Sequence, residues 1–430
     1  MKILVVGSGG REHAIITALV KSPKVTQVYA APGNAGTACF KTVENTNIIA
    51  TDIPAMVRSA QDINADMVFV APDDPLVLGM VDALNEAGFK TFGPRKNAAI
   101  LEGSKEFSKD FMKRNSIPTA DYQVFTDCDE AVAYVKSRNA YPTVVKWDGL
   151  ALGKGVIIAQ NESQAVEAIK SMLVDGKFPG ENKRIVIEEY LEGVEVTVLA
   201  FTDGKTVVPM PASTDHKRAL DGDLGLNTGG MGVVTPVPYY TPEIAEECMR
   251  TIFLPTINSM TAEGTPFKGC IYFGLMLCEK GVKVIEYNCR FGDPETQAIL
   301  PLLQTDLTDI IEAIWENKLD TINIKFVDKS SACVVMASGG YPEKYQTGLA
   351  ITGLEFAATP NVHNVHDVHV FHAGTKIEND ELQTAGGRVL NVVGIADDLP
   401  TALEKAYAAV KKINFKNAHY RTDIGKKAIR

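Results

Sequence analysis

The sequence predicts a multidomain protein that combines the α/β and α+β classes, and three observations support this prediction. The chain has 430 residues, more than one hydrophobic core usually organises, so several domains are expected. Near the amino terminus apolar strand patterns alternate with helical patterns, which is typical of a parallel sheet covered by helices. Further along, strands follow one another with glycine-rich segments between them. We therefore expect an amino-terminal Rossmann-like unit followed by two mixed units.

The first predicted unit covers residues 1–103. Ile3–Val6 has the pattern of a buried strand, a glycine turn follows it, and Glu12–Val20 has a helical pattern. Val25–Ala30 and Met67–Ala71 are predicted to be further strands of the same sheet. Strands and helices in this order predict a βαβ unit.

The second predicted unit covers residues 104–325 and is more varied in composition. Tyr141–Lys146 is a predicted strand that ends in a lysine. Met210–Val237 is dense in Gly, Asp and Pro, so we predict a long functional loop that becomes ordered when a substrate binds. Gly269–Cys278 and Lys283–Asn288 form a predicted hairpin over a short turn.

The third predicted unit covers residues 326–430 and is a small α+β domain. Its predicted strands are Ala332–Ala337, Val368–Phe371 and Arg388–Gly394, and Leu399–Lys412 is a predicted helix.

Composition excludes several classes of function. The formal net charge of −10 argues against a general nucleic-acid binder. No apolar run approaches twenty residues, and the amino terminus lacks the pattern of a signal peptide, so no membrane partner is expected. The seven cysteines are dispersed without a CxxC pair, which indicates reduced thiols. We expect a cytoplasmic monomer whose partners are small molecules.

The segment Val284–Gln297 carries the clearest chemical signal. Because side chains alternate along a strand, Glu286, Asn288 and Arg290 are expected to leave it on one side. A carboxylate and an amide oxygen two residues apart can bind one Mg²⁺ or Mn²⁺ ion, and the arginine can hold an anion beside it. The alternative is a strand end with a solvated polar face.

A glycine turn follows the first predicted strand and precedes a helix. Gly9 and Gly10 lie where backbone N–H groups and the helix N-terminus face an anion, and Arg11 adds charge. Glu12 occupies the place of the third glycine of a dinucleotide-binding motif, and Ala31–Asn34 lacks the acidic residue that holds an adenosine ribose. The turn is therefore expected to hold a monophosphate. The alternative is a turn that only connects two elements.

Lysines flank a second glycine-rich stretch. Lys146 ends a predicted strand, and Lys154 lies between two glycines. From a strand and a flap, these lysines can both reach the phosphates of one nucleotide. A lone lysine at a strand end is usually solvated, so the pair is the signal.

A possible adenosine-binding stretch follows. An apolar strand ends in Glu188 and Glu189, and Glu189, Tyr190 and Leu191 could offer backbone groups to an adenine edge. Glu195 begins the next predicted strand and could accept hydrogen bonds from ribose hydroxyls. The alternative is a charged strand end that faces water.

Asp215, Lys217 and Arg218 form a charged cluster at the start of the long predicted loop. Adjacent acidic and basic groups suit a substrate that carries both an amine and a phosphate or carboxylate. The alternative is a disordered surface loop.

Two further patterns are not expected to be sites. His363, His366, His369 and His372 are spaced by three, but in a strand this spacing puts neighbours on opposite faces, so zinc binding is not expected. Cys289 alternates away from the predicted metal ligands and has no nearby histidine in the sequence, so it is expected to pack rather than to attack a substrate.

Together these segments resemble the phosphoribosylamine–glycine ligase (glycinamide ribonucleotide synthetase) family of the ATP-grasp superfamily. The resemblance covers essentially the whole chain, and the order and completeness of the motifs make it specific. The motifs are Gly7–Ala14, Pro32–Gly36, Gly103–Lys105, Pro142–Gly155, Asp215–Arg218, Asn227–Gly232, Glu286–Gln297, Ala337–Pro342, Phe371–Thr375 and Gly386–Leu390.

The resemblance implies an ATP-grasp fold behind a Rossmann-like pre-ATP-grasp domain, with a lid at about residues 120–190. It also implies a reaction of purine biosynthesis in which ATP, glycine and 5-phosphoribosylamine give glycinamide ribonucleotide, ADP and phosphate through glycyl phosphate. Residues of this chain then take expected roles in three groups. These are Arg290, Asp215 and Lys217 in catalysis; Lys105, Lys146 and Lys154 at ATP; and Gly9, Gly10, Arg11 and Asn34 at phosphoribosylamine or glycine, together with Asp215, Lys217 and Arg290.

This chain departs from the family pattern in places. Asp73 and Asp74 stand where the family usually has a Glu-Ala pair, and Trp147 replaces a small residue. Cys270–Cys278 lacks the second metal-binding acid found in many ATP-grasp enzymes.

Alternative functions are a related purine enzyme that uses bicarbonate or formate, a nicotinamide oxidoreductase, and a nucleotide sensor without catalysis. The charged cluster that begins at Asp215 and the third domain favour glycine ligation.

Overall fold

The structure is a computed structural model that describes residues 1–150, 155–175, 183–354 and 367–429. Within these ranges no helix combines the length and the apolar character needed to cross a membrane. The predicted mixture of α/β and α+β architecture is confirmed.

The first unit is a parallel sheet covered by helices, as the alternating pattern predicts. Its five strands lie in the order β3-β2-β1-β4-β5, and every pairing is parallel. The elements are β1 (Lys2–Gly7), α1 (Gly10–Leu19), β2 (Gln27–Pro32), β3 (Val43–Asn45), α2 (Ile53–Asp62), β4 (Met67–Val70), α3 (Asp73–Leu78), α4 (Met80–Glu86), β5 (Lys90–Phe92) and α5 (Lys96–Gly103).

The middle of the chain alternates between helices and antiparallel strands. Its elements are α6 (Lys105–Arg114), β6 (Tyr122–Phe125), α7 (Cys128–Arg138), β7 (Thr143–Trp147), β8 (Val156–Ala159), α8 (Glu162–Leu173), β9 (Ile185–Glu189), β10 (Val194–Thr202), β11 (Val207–Pro209), β12 (Thr214–Asp215), β13 (Arg218–Leu220), β14 (Leu224–Asn227) and β15 (Gly232–Thr235).

The remaining described elements complete the chain. They are α9 (Pro242–Cys248), α10 (Leu254–Ala262), β16 (Gly269–Cys278), β17 (Gly281–Asn288), α11 (Glu295–Ile299), α12 (Leu307–Glu316), β18 (Ser330–Ser338), β19 (Val368–His372), β20 (Thr375–Glu378), β21 (Glu381–Thr384), β22 (Arg388–Ala396), α13 (Leu399–Val410) and β23 (Ala418–His419).

Two antiparallel sheets face the middle of the molecule. Strands β6, β9, β7 and β8 form one sheet, and α7 and α8 pack on it around the buried side chain of Trp147. Strands β11, β10, β16 and β17 form the other, which is apolar throughout its interior. The predicted β16–β17 hairpin is confirmed. The division of the chain at residues 103 and 325 remains a prediction.

The third sheet is not confined to the carboxyl-terminal third of the chain. Its order is β12-β15-β18-β22-β19, with β23 paired to β18. Strands β12 and β15 belong to Met210–Val237, so the prediction of one long loop there is wrong. Val233 and Val234 are fully buried in this sheet, and burial of such side chains favours strand over loop in spite of the glycines around them.

Candidate active site

The predicted metal ligands Glu286 and Asn288 lie at the carboxyl end of β17, and both are partly exposed, while Tyr287 between them is buried. The alternation is interrupted at Ile285, because the pairing of β16 with β17 shifts there from Gly274 opposite Glu286 to Leu275 opposite Val284. This irregularity explains why Val284 is buried although strict alternation would place it on the face of Glu286.

Three lysines surround Glu286. Lys217 Nζ lies 3.5 Å from Glu286 Oε1, and Lys146 and Lys105 also face this carboxylate. Burial alone would raise the pKa of Glu286, but the three ammonium groups outweigh it and lower the pKa to about 2. Glu286 is therefore ionised at neutral pH and available to bind a cation.

The donor set fits a hard divalent cation. Glu286 offers carboxylate oxygens, and Asn288 Oδ1 accepts a hydrogen bond at 3.3 Å from the neighbouring Arg290. Among the described residues there is no cluster of three or more His, Cys, Asp or Glu side chains that could hold a metal. A magnesium-type ion held by one or two side chains completes its shell with water and phosphate oxygens, and these residues suit that mode.

Arg290 lies against a buried carboxylate that the sequence did not reveal. Its Nη2 is 3.0 Å from Oε1 of Glu102, whose other oxygen accepts the N–H of Cys289 at 2.6 Å. Burial raises the pKa of Glu102 to about 7 in spite of Arg290. Burial also opposes the charge of Arg290, yet Glu102 and Asp73 raise the pKa of that guanidinium. Arg290 is therefore charged, and its contact with Glu102 orients the guanidinium.

The predicted ATP lysine Lys146 stands on a buried ion-pair network. Its Nζ lies 2.9 Å from Oε1 of Glu188, and Lys109 Nζ lies 2.9 Å from the other oxygen of the same carboxylate. All three side chains are no more than 5% exposed. Glu188, predicted to bind ATP, thus anchors Lys146, and Lys109 is a member that sequence reasoning missed.

Lys105 is the second predicted ATP lysine within the described residues. It begins α6, its Nζ donates to the carbonyl of Gly149 at 2.9 Å, and its N–H donates to Asp148 at 2.6 Å. Burial lowers the pKa of Lys105, and Lys146 lowers it further. Lys154, the third predicted ATP lysine, lies outside the described residues.

The predicted adenine stretch lines an open cleft of about 670 Å³ where β9 leads into β10. Glu189 pairs with Lys283 at 3.3 Å, Tyr190 is exposed, and Leu191 is buried beside Ala120 and Met276. The cleft is lined by charged side chains such as Glu189 and Lys283 together with apolar ones such as Leu191, and its volume is sufficient for a nucleobase.

The predicted substrate residue Asp215 ends β12 in the third sheet, and Lys217 follows two residues further along the chain. Lys217 bridges Glu195 Oε2 at 3.3 Å and Glu286 Oε1 at 3.5 Å. Burial lowers the pKa of Lys217, but the two carboxylates outweigh it, so the net shift is upward. Burial raises the pKa of Asp215, and the nearby Glu295 raises it further.

One oxygen of Asp215 has no hydrogen-bond partner within the described part of the chain. A Cβ added to Gly230 would lie 2.7 Å from this oxygen, and the φ of Gly230 is +110°, so only glycine fits beside the carboxylate. A cavity of about 10 Å³, the size of one water molecule, is lined by the side chains of Glu195, Asp215, Lys217 and Tyr272.

The amino-terminal glycine turn meets the end of the metal strand. Arg11 and Arg290 both donate to the carbonyl of Phe291, at 3.2 Å and 3.3 Å. A Cβ added to Gly10 would lie 2.2 Å from Asn391 and 2.7 Å from Gln297, so this turn admits no larger residue. Gly9 is the N-cap residue of α1, and its N–H donates to Glu12 at 2.5 Å.

Asn34, a predicted substrate residue, has a structural role. Its amide nitrogen donates to the carbonyls of Ser8 and His372, both at 2.8 Å. Its amide oxygen accepts the N–H groups of Gly36 and Thr37 at 2.9 and 3.0 Å. Through these bonds the Asn34 side chain shapes the turn. Direct binding of substrate by this side chain remains a prediction.

Sequence reasoning missed a group of buried residues around the predicted ligands. Arg388, on β22, donates to the carbonyls of Gly229 at 2.6 Å and Asp293 at 2.7 Å, and it pairs with the carboxylate of Asp293. Glu295 is also buried beside Asp215. Arg388, Asp293 and Glu295 lie within motifs quoted for the family resemblance, so the resemblance was a signal that could have found them. Glu102 lies outside these motifs, and no signal in the sequence indicated it.

The two patterns set aside in the sequence behave as structural features. Cys289 is buried, and its thiol faces carbonyls of Ala98 and Ala99. His372 donates its N–H to His13 at 2.9 Å, and His369 is buried on β19. His363 and His366 lie outside the described residues.

Models of three protein domains match nearly the whole chain. Residues 1–102 match the phosphoribosylglycinamide synthetase N domain, residues 103–296 its ATP-grasp (A) domain, and residues 331–427 its C domain. The phosphoribosylamine–glycine ligase of Vibrio cholerae is 46% identical over 430 residues, covering 100% of this chain and 99% of that protein. The corresponding ligase of Allochromatium vinosum is 47% identical with the same coverage.

Solved structures give the same result for the fold. The crystal structure of phosphoribosylamine–glycine ligase from Thermotoga maritima superposes with a TM-score of 0.84 at 30% identity, covering 99% of this chain and 100% of that one. The biotin carboxylase domain of 2-oxoglutarate carboxylase from Hydrogenobacter thermophilus, a complex with MgADP and bicarbonate, gives 0.74 at 16% identity, with coverage of 97% and 91%. The second likeness concerns the fold alone.

Proposed function

The chain belongs to the phosphoribosylglycinamide synthetase family of ATP-grasp ligases, and from that premise we propose how its own residues join glycine to 5-phosphoribosylamine. It is an ATP-dependent ligase of purine biosynthesis. The assignment of residues to each substrate is our proposal, supported by the contacts described above.

The adenosine of ATP lies in the cleft beside Glu189, Tyr190 and Leu191, whose backbone groups meet the adenine edge, while Glu195 accepts from the ribose. Lys146 and Lys105 direct ammonium groups toward the phosphates, and Lys154 is assigned to the same phosphates on its sequence pattern alone. The Glu188 carboxylate supports this arrangement, because it holds Lys146 at 2.9 Å and fixes where its charge lies.

Glu286 and Asn288 hold the divalent ion, and we propose Mg²⁺ or Mn²⁺. When bound, such an ion would supply positive charge that offsets the negative charge developing during phosphoryl transfer. The pKa of about 2 at Glu286 supports this assignment, because the carboxylate stays charged over the whole physiological pH range. Lys217 is within 3.5 Å of the same carboxylate and adds a further cation at this point.

Glycine binds between Arg290 and Asp215. The guanidinium of Arg290 orients the glycine carboxylate for attack on the γ-phosphate, which gives glycyl phosphate and ADP. The unpartnered oxygen of Asp215 accepts from the glycine ammonium group. Glu102 holds the guanidinium of Arg290, and Gly230 lies against the carboxylate of Asp215, so binding needs little reorganisation, and positioning supplies a large part of the rate enhancement.

Phosphoribosylamine binds on the side of the amino-terminal turn. Gly9, Gly10 and Arg11 face its phosphate at the N-terminus of α1, and Asn34 shapes the turn from behind. The amine then attacks the carbonyl carbon of glycyl phosphate, an amide bond forms, and inorganic phosphate leaves. No side-chain nucleophile is required, and electrostatic stabilisation by Lys217 and Arg290 carries the step.

The observation that carries this proposal is the convergence of Lys217, Lys146 and Lys105 on the carboxylate of Glu286. We further propose that the protein is a cytoplasmic monomer that binds neither nucleic acid nor membrane. The seven free cysteines support a cytoplasmic location, and the formal net charge of −10 argues against binding of nucleic acid.

ADP formation by the purified chain tests the function. Activity should require glycine and freshly prepared phosphoribosylamine together, and bicarbonate or formate should not replace glycine. Glu404→Gln is the control for Glu286→Gln, because it also removes one carboxylate, from an exposed position on α13. ADP formation that persists without glycine would refute the proposal.

A further inference from the structure

The carboxyl-terminal segment 419–427, here called the tail, is fastened to the hairpin made by β13 and β14. The side chain of Arg421 is 2% exposed and lies 2.8 Å from both Asp223 and Asp423. Asp423 accepts the N–H of Gly222 at 2.8 Å. The N–H of Thr422 donates to Asp221 at 2.8 Å. These bonds join residues about two hundred positions apart in the chain.

The tail also forms hydrogen bonds with both chain neighbours of Lys217, the ring of His216 and the backbone of Arg218. Gly425 donates its N–H to Nε2 of His216 at 3.0 Å, and Arg421 Nη1 donates to the carbonyl of Arg218 at 3.2 Å. His419 Nε2 lies 2.7 Å from the carbonyl of Ala219. Burial lowers the pKa of His216 to about 4, so its ring is neutral and can accept this hydrogen bond.

Lys217 itself makes no contact with the tail in the described structure other than through these neighbours. Its carbonyl accepts from both the N–H and the hydroxyl of Thr228 at 2.8 Å, and its Nζ faces Glu195 and Glu286. Hydrogen bonds from Thr228 therefore fix the backbone of Lys217. Ion pairs with Glu195 and Glu286 fix its ammonium group toward the ATP site.

We propose that the tail is a positioning element, centred on Arg421, that sets the place of Lys217 and Asp215 for ligation. The inference rests on the proposed function for the roles of these two residues. Asp215 ends β12, a strand of the sheet that the carboxyl-terminal strands complete, so tail and sheet hold the two substrate residues from one side. The carboxyl-terminal unit thus contributes to the reaction by positioning these two residues, although neither predicted metal ligand belongs to it.

The mechanism predicts a selective effect. Release of Arg421 frees the carbonyl of Arg218 and two carboxylates, so the hairpin can shift relative to β17. A displacement of about 1 Å at a positioning group can cost up to about a hundredfold in rate. ADP binds through Lys146, Lys105 and the adenine cleft, and none of these touches the tail. The Kd for ADP should therefore stay nearly unchanged when Arg421 is replaced.

Arg421→Met is the test, with kcat/KM for glycine and the Kd for ADP by calorimetry as separate readouts. We expect kcat/KM to fall by about tenfold to a hundredfold and the Kd for ADP to change by less than about twofold. Lys416→Met is the control, because Lys416 is an exposed lysine that lies just before the tail, and it should leave both values unchanged.

Lys217→Met separates failure of the inference from failure of the proposed function. If Lys217→Met lowers kcat/KM and folded Arg421→Met does not, the positioning role is refuted. An equal loss of ADP affinity in Arg421→Met would also refute it, because that result indicates general disruption. If Arg421→Met fails to fold, Asp423→Asn replaces it as the test. This variant keeps the arginine but weakens the ion pair at position 423, and it must show the same selective loss of kcat/KM. Wild-type kcat/KM in Lys217→Met would instead refute the role of Lys217.

Discussion

Lys109 offers a direct measurement of the electrostatics beneath the ATP site. Its ammonium group is 2.9 Å from Glu188 and 2.8 Å from the hydroxyl of Thr119, and the residue is 2% exposed. Burial lowers the pKa of Lys109 to about 8; Glu188 opposes this shift, and the positive charge of Lys146 adds to it. Two ammonium groups thus share one carboxylate in a buried site.

The pKa fixes the direction and size of a stability effect. In the unfolded chain Lys109 titrates near 10.5, so between pH 8 and 10.5 the unfolded state holds a proton that the folded state has released. Folding stability therefore rises with pH across this window, and the penalty for burying the charged form is fully present below pH 8. A change from 10.5 to about 8 corresponds to about 3 kcal/mol.

Lys109→Met removes the ammonium group and keeps an apolar chain in its place. Glu188 then retains Lys146 as its partner, but one carboxylate oxygen loses its bond, at a cost of about 1–3 kcal/mol. We expect the variant to be close to wild type in stability at pH 7. Relative to wild type it should lose about 3 kcal/mol between pH 7 and pH 10.5, because only the wild type gains stability there.

Urea denaturation followed by tryptophan fluorescence, at a series of pH values, measures this difference. Lys113→Met is the control, since Lys113 lies on the same helix but is exposed, and its difference from wild type should not depend on pH. A difference between Lys109→Met and wild type that is constant from pH 7 to pH 10.5 would refute the reasoning, because Lys109 would then be charged and unpenalised in the folded protein.

Three further predictions concern the site itself. Glu286→Gln should lower turnover by about a hundredfold or more without changing the circular dichroism spectrum, and wild-type turnover would reject the metal assignment. Lys154→Ala should raise the Kd for ATP, and an unchanged Kd would remove this lysine from the nucleotide site. Glu102→Gln should lower kcat/KM for glycine by about tenfold, because Arg290 loses the charge that orients it. Full activity in Glu102→Gln would show that Arg290 is oriented without it.

The sequence was sufficient for features that depend on local pattern. Alternation along β17 predicted that Glu286 and Asn288 share a side, and the turn after β1 followed from its glycines. The hairpin of β16 and β17 followed from two apolar runs with a short turn. In each case the residues that decide the structure are close together in the chain, so periodicity and turn chemistry carry the information.

Features that depend on distant partners could not be predicted in the same way. Glu102 lies 188 positions from Arg290, and nothing near it indicates that its carboxylate is buried beneath a guanidinium. Strands β12 and β15 were missed because β15 pairs with β18, about a hundred residues further on, and β12 joins the sheet only through β15. The Lys109–Glu188–Lys146 network escaped for the same reason, since each lysine alone has the sequence context of a solvated one.

These long-range contacts share a physical logic. Lys105, Lys109, Lys146 and Lys217 lie close together, and the carboxylates facing them are Glu188, Glu195 and Glu286. Burial lowers the pKa values of Lys105 and Lys109, and the positive charge of Lys146 lowers them further, so like charges placed together in this buried site destabilise the folded chain. A triphosphate brings several negative charges to the same place, so its binding relieves that repulsion. The charge arrangement that limits the stability of the free protein is therefore also a source of its affinity for the nucleotide.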